Sequence, residues 1–273
     1  MATYKPAKTL DEQIQYLKEN KRVCFNVIDE KSAKDILFKY NYINIITPFK
    51  HHFAKLSNKK EVIKENGHHV YENNIEFSKY YELYKNERKN YPIISKNIIF
   101  FETIFKSIFS YRILTSYTLE SKSDILSFLD AVRTRIPNNN HYNEQRINHM
   151  NRHIDEIKAN INNYHDVYCF FDRMSLGQTL TVYCGLEYKE QDKIFKDCKK
   201  VGIDFGVDKT PDFISKFFTL IAVRNCVMHC NSLEILITLY NPKTKALRDS
   251  TNKKRFTTMI KYLSKEKGYT NMM

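Results

Sequence analysis

Six glycines and six prolines in 273 residues leave this chain too little turn punctuation for an all-β fold. A sandwich or barrel needs a turn about every 8–12 residues. Disorder is disfavoured from the other side. Hydrophobic residues make up 42% of the chain and aromatics 14%, enough apolar surface to offset the entropy of ordering. The expected fold class is all-α.

Local signals agree. Thr9-Leu10-Asp11-Glu12 has the form of a capping box, in which the Thr hydroxyl and Glu carboxylate satisfy each other's free amides. The helix it opens runs through Ile14 and Leu17, and a second start at Asp29 leads through Ala33, Leu37 and Tyr40. Tyr42 to Phe53 reads as a third helix broken at Pro48. Residues 57–74 are polar, contain Gly67, and read as a loop or small ribbon. A charged helix follows from Ile75 to Lys89. Pro92 then opens the longest apolar repeat, through Ile98, Phe101, Ile104, Phe105, Ile108, Ile113 and Leu114, and spacings of three and four mark a core helix. Beyond it come a short helix from Ile125 to Val132, a basic loop from Arg133 to Asn140, and a helix from Glu144 to Asn162. Thr210-Pro211-Asp212 starts another, running through Phe213, Phe217, Leu220 and Val227 and ending near His229 to Asn231. A basic helix over 252–267 closes the chain. No repeat or compositional break divides it, so a single domain over 1–273 is expected, with a small polar excursion near 57–74.

Lys and Arg total 44 against 31 Asp and Glu, a formal net charge of +13. Nucleic acid is the usual partner of so basic a chain. The bias toward Asn, Lys, Ile and Tyr is also what an AT-rich genome produces, so charge alone does not decide. Arg133, Arg135, Arg146 and Arg152 are the candidate phosphate contacts; ordinary helix surface is the alternative for each. Cys24, Cys169, Cys184, Cys198, Cys226 and Cys230 form no Cys-x-x-Cys pair, and free thiols of a reduced compartment are expected. Cys226 and Cys230, four apart, would stack on one face of a helix. The N-terminus lacks a signal-like apolar stretch, and no run is long enough for a membrane span. A cytoplasmic protein without membrane contact is expected.

His149-x3-His153 has the one-turn spacing of a two-histidine metal site, but Met150 stands where the usual glutamate would be, and no metal is expected. His51-His52 and His68-His69 have no ligand spacing and read as surface or turn residues. Glycine-rich phosphate loops and a Gly-x-Ser-x-Gly elbow are both missing.

The informative stretch runs from Phe217 to Asn231, where Arg224, Asn225 and His229 interrupt apolar residues near a helix end. At about 100° per residue, Asn225 and His229 share a face and Arg224 lies about 140° away from His229. A loosened helix end, or a second copy of the helix across a two-fold axis, would bring Arg and His together. Those residue types suit RNA cleavage. Histidine moves a proton at neutral pH, arginine clamps a phosphate bidentately, and asparagine orients ribose or imidazole. On spacing alone, a buried arginine beside a satisfied core histidine is the commoner explanation.

Arg224-Asn225-Cys226-Val227-Met228-His229 resembles the Arg-Asn-x-x-x-His signature of HEPN ribonucleases. The surrounding chain is similar to one branch, the Abi-like (AbiD and AbiF type) phage abortive-infection proteins. Leu10 to Leu17 with Asp29 to Tyr42 resembles that family's opening helices, and Phe101 to Arg112 its central helix. Phe170 to Gln178 is similar to its segment ending in a Leu-Gly turn before the catalytic helix. The chain departs from the pattern at Ile43 to Phe49, and again where Met228 and Cys230 flank the histidine.

The resemblance implies a HEPN-type helical bundle with added N-terminal and peripheral helices, dimeric through the catalytic helix. It also implies a toxin-like endoribonuclease of phage defence, needing no cofactor or metal and leaving 2′,3′-cyclic phosphates. Arg224, Asn225 and His229 would be its catalytic residues. Some relatives pair with a structured small RNA that restrains them, so RNA is expected both as substrate and as antitoxin partner. The alternative is an RNA-binding or regulatory module that keeps the fold without cutting.

Overall fold

The computed structural model describes residues 7–58, 62–65, 68–138, 142–164, 166–238 and 250–265. Helices α1 (Leu10–Lys21), α2 (Glu30–Tyr40), α3 (Tyr42–Ile45), α4 (Phe77–Arg88) and α5 (Tyr91–Ser116) come first. Four two-residue strands lie among them: β1 (Val23–Cys24), β2 (Lys64–Glu65), β3 (His68–His69) and β4 (Ile75–Glu76). Then follow α6 (Lys122–Arg135), α7 (Glu144–Ala159), α8 (Val167–Asp172), α9 (Leu176–Cys184), α10 (Tyr188–Lys200), α11 (Thr210–Met228), α12 (Glu234–Thr238) and α13 (Ser250–Leu263). The fold is all-α; among the described residues the strands form only two pairs, β1 with β4 and β2 with β3. No described helix is long and apolar enough to cross a membrane.

The described residues group into two compact units, one drawn from residues 7–95 and 223–265, the other from residues 96–222. Helices α5 and α11 contribute residues to both. In the first unit, Thr9 and Glu12 close the expected capping box on α1, and the Asp29 carboxylate accepts the Ser32 amide to start α2. Ile14, Leu17, Leu37, Ile45, Phe49, Phe77 and Tyr80 form its core. Val23 pairs with Ile75 and Cys24 with Glu76 in a parallel register, tying the end of α1 to the start of α4.

The second unit is organised around phenylalanine rings. Phe105 meets Phe101, Phe109, Tyr183, Phe213 and Phe217 with centroids 4.4–6.3 Å apart. Along α5 the buried apolar positions in this unit are Ile98, Phe101, Phe105, Phe109 and Ile113, whereas Ile104, Ile108 and Leu114 are half-buried. Helix α7 packs against α6 and α9. Gly185 ends α9 so close to α6 that an added Cβ would lie 2.5 Å from both Cγ1 and the carbonyl oxygen of Val132. Backbone cannot yield there as a side-chain tip could. Gly185→Ala is expected to cost about 1–3 kcal/mol of stability by overpacking, read by urea unfolding.

Several boundaries differ from expectation. The stretch from Tyr42 to Phe53 is not one helix: α3 stops at Ile45 and a separate 3-10 turn spans Lys50–Phe53. Pro48 explains the break, since it lacks an amide donor and pushes Thr47 away from helical geometry. Arg133 and Arg135 lie in the last turn of α6, not in a loop. The expected loop's Asn139 and Asn140 lie outside the described residues, as do Gly67 and, from the closing helix, Glu266 and Lys267. Gly177 is the second residue of α9 rather than a turn. It leaves room for the His153 imidazole, whose Cε1 would stand 3.1 Å from a Cβ.

Candidate active site

Helix α11 is anchored at its start by Thr210, whose hydroxyl donates to Asp192 of α10 at 3.0 Å. Its buried stripe is Phe213, Phe217, Leu220, Val223 and Val227, at helical spacings. Asn225 and His229 lie off that stripe, whereas Arg224, four residues after Leu220 and three before Val227, falls at its angle near the helix end. Arg224 is half-buried, and Asn225 and His229 are exposed. The Arg224 guanidinium reaches Asn225 Oδ1 at 3.5 Å, the outer limit of a hydrogen bond.

The helix ends in a Schellman turn that presents His229. Its amide donates to the Asn225 carbonyl at 3.1 Å, the Cys230 amide to Val227 at 3.1 Å, and the Asn231 amide to Cys226 at 2.8 Å. Cys230 takes the left-handed conformation that this turn requires, with φ 53°. It therefore sits beyond the helix, and the expected stacking of Cys226 and Cys230 on one helical face does not occur. The six thiols are free. Cys184 and Cys198 are buried, Cys24 and Cys226 half-buried, and Cys169 and Cys230 exposed.

The turn is held from the junction of α4 and α5. Arg88 donates through Nη2 to the Cys230 carbonyl at 2.6 Å, with its guanidinium 4.4 Å from the Tyr91 ring centroid and 5.0 Å from that of Tyr84. Tyr91 donates its hydroxyl to the Asn231 carbonyl at 2.6 Å and accepts the Leu233 amide at 3.3 Å. Burial pushes the Tyr91 phenol well above its usual range, so it stays protonated as a donor. Glu87 Oε1 accepts the Ser232 hydroxyl at 2.7 Å and the Glu234 amide at 2.8 Å. Burial raises the Glu87 carboxyl, while those two donors pull it back.

Periodicity did not reveal these three residues. Glu87 and Arg88 look like two more charges on a charged helix, and their partners lie about 140 residues away. Tyr91→Phe removes both hydrogen bonds of the hydroxyl, each about 0.5–1.5 kcal/mol. Amide hydrogen exchange at Cys230 to Leu233 is expected to quicken about five- to a hundredfold, with exchange elsewhere unchanged.

The four candidate phosphate contacts belong to the other unit and are not equivalent. Arg133 pairs with Asp155 and donates to the Asn151 carbonyl, and Arg135 pairs with Glu187 at 3.1 Å. Arg152 lies beside His149, 3.5 Å from its Nδ1. Arg146 stacks over Phe218, 4.3 Å from the ring centroid. Arg135 and Arg146 line one cavity of about 800 Å³ with Tyr142, Phe218, Glu187 and Asp212. The imidazoles of His149 and His153 are 4.3 Å apart. His153 Nδ1 is 2.8 Å from Thr181 Oγ1, and burial holds this imidazole below its usual pKa.

Residues 35–233 match the sequence profile of the Abi-like protein family, well over half of the chain. The chain belongs to the Abi-like family. That membership suggests a part in abortive infection. The matched span of this Abi-like protein takes in α3 to α11, the Schellman turn and the residues that hold it. No curated protein and no solved structure is similar enough to add to that assignment.

Proposed function

We propose that this Abi-like protein is a HEPN-type endoribonuclease that halts phage growth by cutting RNA. The observation that carries the reading is the Arg-Asn-x-x-x-His end of α11, with an exposed His229 on a turn whose backbone is held at Cys230, Asn231, Leu233 and Glu234. An exposed histidine held by its neighbours' backbone is what a proton-transfer group needs. It meets substrate without searching through rotations of the chain that carries it.

In this reading His229 takes the proton of a ribose 2′-hydroxyl. The freed O2′ attacks phosphorus, the P–O5′ bond breaks, and the leaving O5′ receives a proton from the His229 of a second protomer. The products are a 2′,3′-cyclic phosphate and a 5′-hydroxyl, so atoms and charge balance without a redox partner. Arg224 stabilises the charge growing on the phosphoryl oxygens, and Asn225 orients ribose or imidazole. Because Arg224 and His229 are about 140° apart around the helix, a two-fold pair of α11 helices is the proposed way of facing them to one phosphate. Arg146 over Phe218 and Arg135 in the same cavity suit a structured small RNA, with phosphates on the guanidinium groups and a base on the ring.

The test is incubation of the purified protein, in EDTA, with end-labelled cellular RNA beside Arg224→Ala and His229→Ala. Cleavage to cyclic-phosphate ends, lost in both variants, is expected. The opposite result, no cleavage even after any copurifying RNA has been stripped, would leave a binding module that uses the same fold without cutting.

A further inference from the structure

A second basic site lies in the same unit as α1. Tyr16, Asn20, Lys21, Lys50, His68, His69 and Tyr71 surround a pocket of about 210 Å³, and among the described residues no carboxylate stands in its wall. Lys21 is only 6% exposed although it ends a surface helix. Its ammonium donates to the Tyr71 hydroxyl at 2.5 Å and lies 4.2 Å from that ring's centroid. The His51 and His69 rings are 5.4 Å apart.

We propose that this pocket binds a phosphate dianion, either free or as the terminal phosphate of a nucleotide or RNA strand. The Lys21 ammonium is buried against a phenol and shares the pocket wall with a second lysine, and an anion in the pocket would offset the cost of burying that charge. Burial, and then the neighbouring Lys50, bring the Lys21 ammonium down to about 7. Burial and then Lys50 also pull His51 and His69 down to about 4. His52 and Lys21 add to the pressure on His51, and His51, Lys64 and Lys21 to that on His69. The acid acting on His51 is Glu234, already bonded to His52 Nε2 at 2.9 Å. Glu65 stands opposite His68 in the β2–β3 ribbon and is exposed. The volume admits a tetrahedral oxyanion with hydrating waters, and the rings of Tyr16 and Tyr71 offer faces to whatever carries it.

The sign of the pH dependence follows. An anion raises the Lys21 and histidine pKa values, so the protein takes up protons on binding and its affinity for the dianion itself strengthens as pH falls from 8.5 to 6.5, while phosphate's own second protonation near neutrality works the other way on the total. Roughly tenfold is expected over that range from Lys21 alone.

Calorimetric titration of the full chain with inorganic phosphate, in two buffers of different ionisation enthalpy, tests this. At a pH of about 8, where phosphate is already mostly the dianion, saturable binding with net proton uptake is expected, weakened at least about tenfold by Lys21→Met or His69→Gln. Lys31→Ala, exposed on α2, should leave it unchanged. Histidine resonances give a readout that needs no variant: the His51 and His69 midpoints should rise with phosphate. Nucleoside 5′-monophosphate, and oligoribonucleotides with 5′-phosphate or 5′-hydroxyl ends, then identify the carrier. Absence of saturable binding at millimolar phosphate, or binding that Lys21→Met leaves intact, overturns the proposal. Repeating the titration in His229→Ala keeps its outcome separate from that of the cleavage reading.

Discussion

Replacing His229 by alanine is expected to lower RNA cleavage by about 10²–10⁴-fold, the usual worth of a positioned general acid or base. Stability should move by no more than about 0.5 kcal/mol, because the imidazole is exposed. A large loss of rate in a protein that unfolds at the wild-type midpoint therefore isolates chemistry from folding. Arg224→Ala should cost about 10²–10³-fold through lost charge stabilisation, and lysine should restore little, since it cannot hold a phosphate bidentately. Mixing Arg224→Ala with His229→Ala protomers adds a test of the dimer. If one phosphate is served by Arg224 of one chain and His229 of the other, the mixture regains the part of the rate that a single histidine supports; if both histidines are needed, as the mechanism above has it, the mixture stays as inactive as His229→Ala. A His229→Ala protein that cuts at the wild-type rate would remove the histidine from the mechanism.

The largest loss of stability is expected at Phe105, far from the motif in sequence and fully buried. Five aromatic rings meet its own, two of them edge-on from α9 and α11, Tyr183 at 5.6 Å and Phe217 at 4.4 Å. Truncation to alanine deletes the shared member of all those pairs and leaves a cavity whose stiff walls cannot close. A cost of about 3–5 kcal/mol is expected by urea unfolding, against about 1–2 kcal/mol for Phe105→Leu, which loses the ring but keeps most of the volume. If the two substitutions cost the same, the rings around Phe105 would have to repack freely, contrary to the close interlocking described above.

The fold was legible wherever a short-range signal carried it. Thr9 with Glu12, and Asp29 alone, are capping residues whose chemistry is complete within three positions, and both helices start there. The repeat through Ile98, Phe101 and Phe105 likewise reports a buried face directly, although Phe109 completes it in place of Ile104 and Ile108. Helix α9 has a capping box as well, Ser175 with Gln178, but no periodic stripe follows it. Its nine residues are buried nearly all round, and a short apolar run cannot tell helix from strand. Helix α10 hid in the opposite way, with Gln191, Ile194, Phe195 and Cys198 turned inward from a run of charges.

For the candidate site, Arg224, Asn225 and His229 could be read because motif and chemistry are adjacent in the chain. What supports them could not. Arg88 and Tyr91 act on carbonyl oxygens, which every residue possesses, so nothing in the sequence near Cys230 or Asn231 announces the partner. The basic pocket escaped for a related reason. Lys21, Lys50 and His69 come from three separate elements, and only tertiary packing brings them to one cavity.

The bonds to Cys230, Asn231, Ser232, Leu233 and Glu234 also work as a ruler. Each successive residue has an assigned partner on α4 or α5, so a residue inserted or deleted between His229 and Glu234 would shift every mark at once. Side chains can drift here over evolutionary time, but length cannot. Across divergent relatives that share this turn, alignment gaps should therefore be rarest over these six positions, even where hardly a residue type is retained.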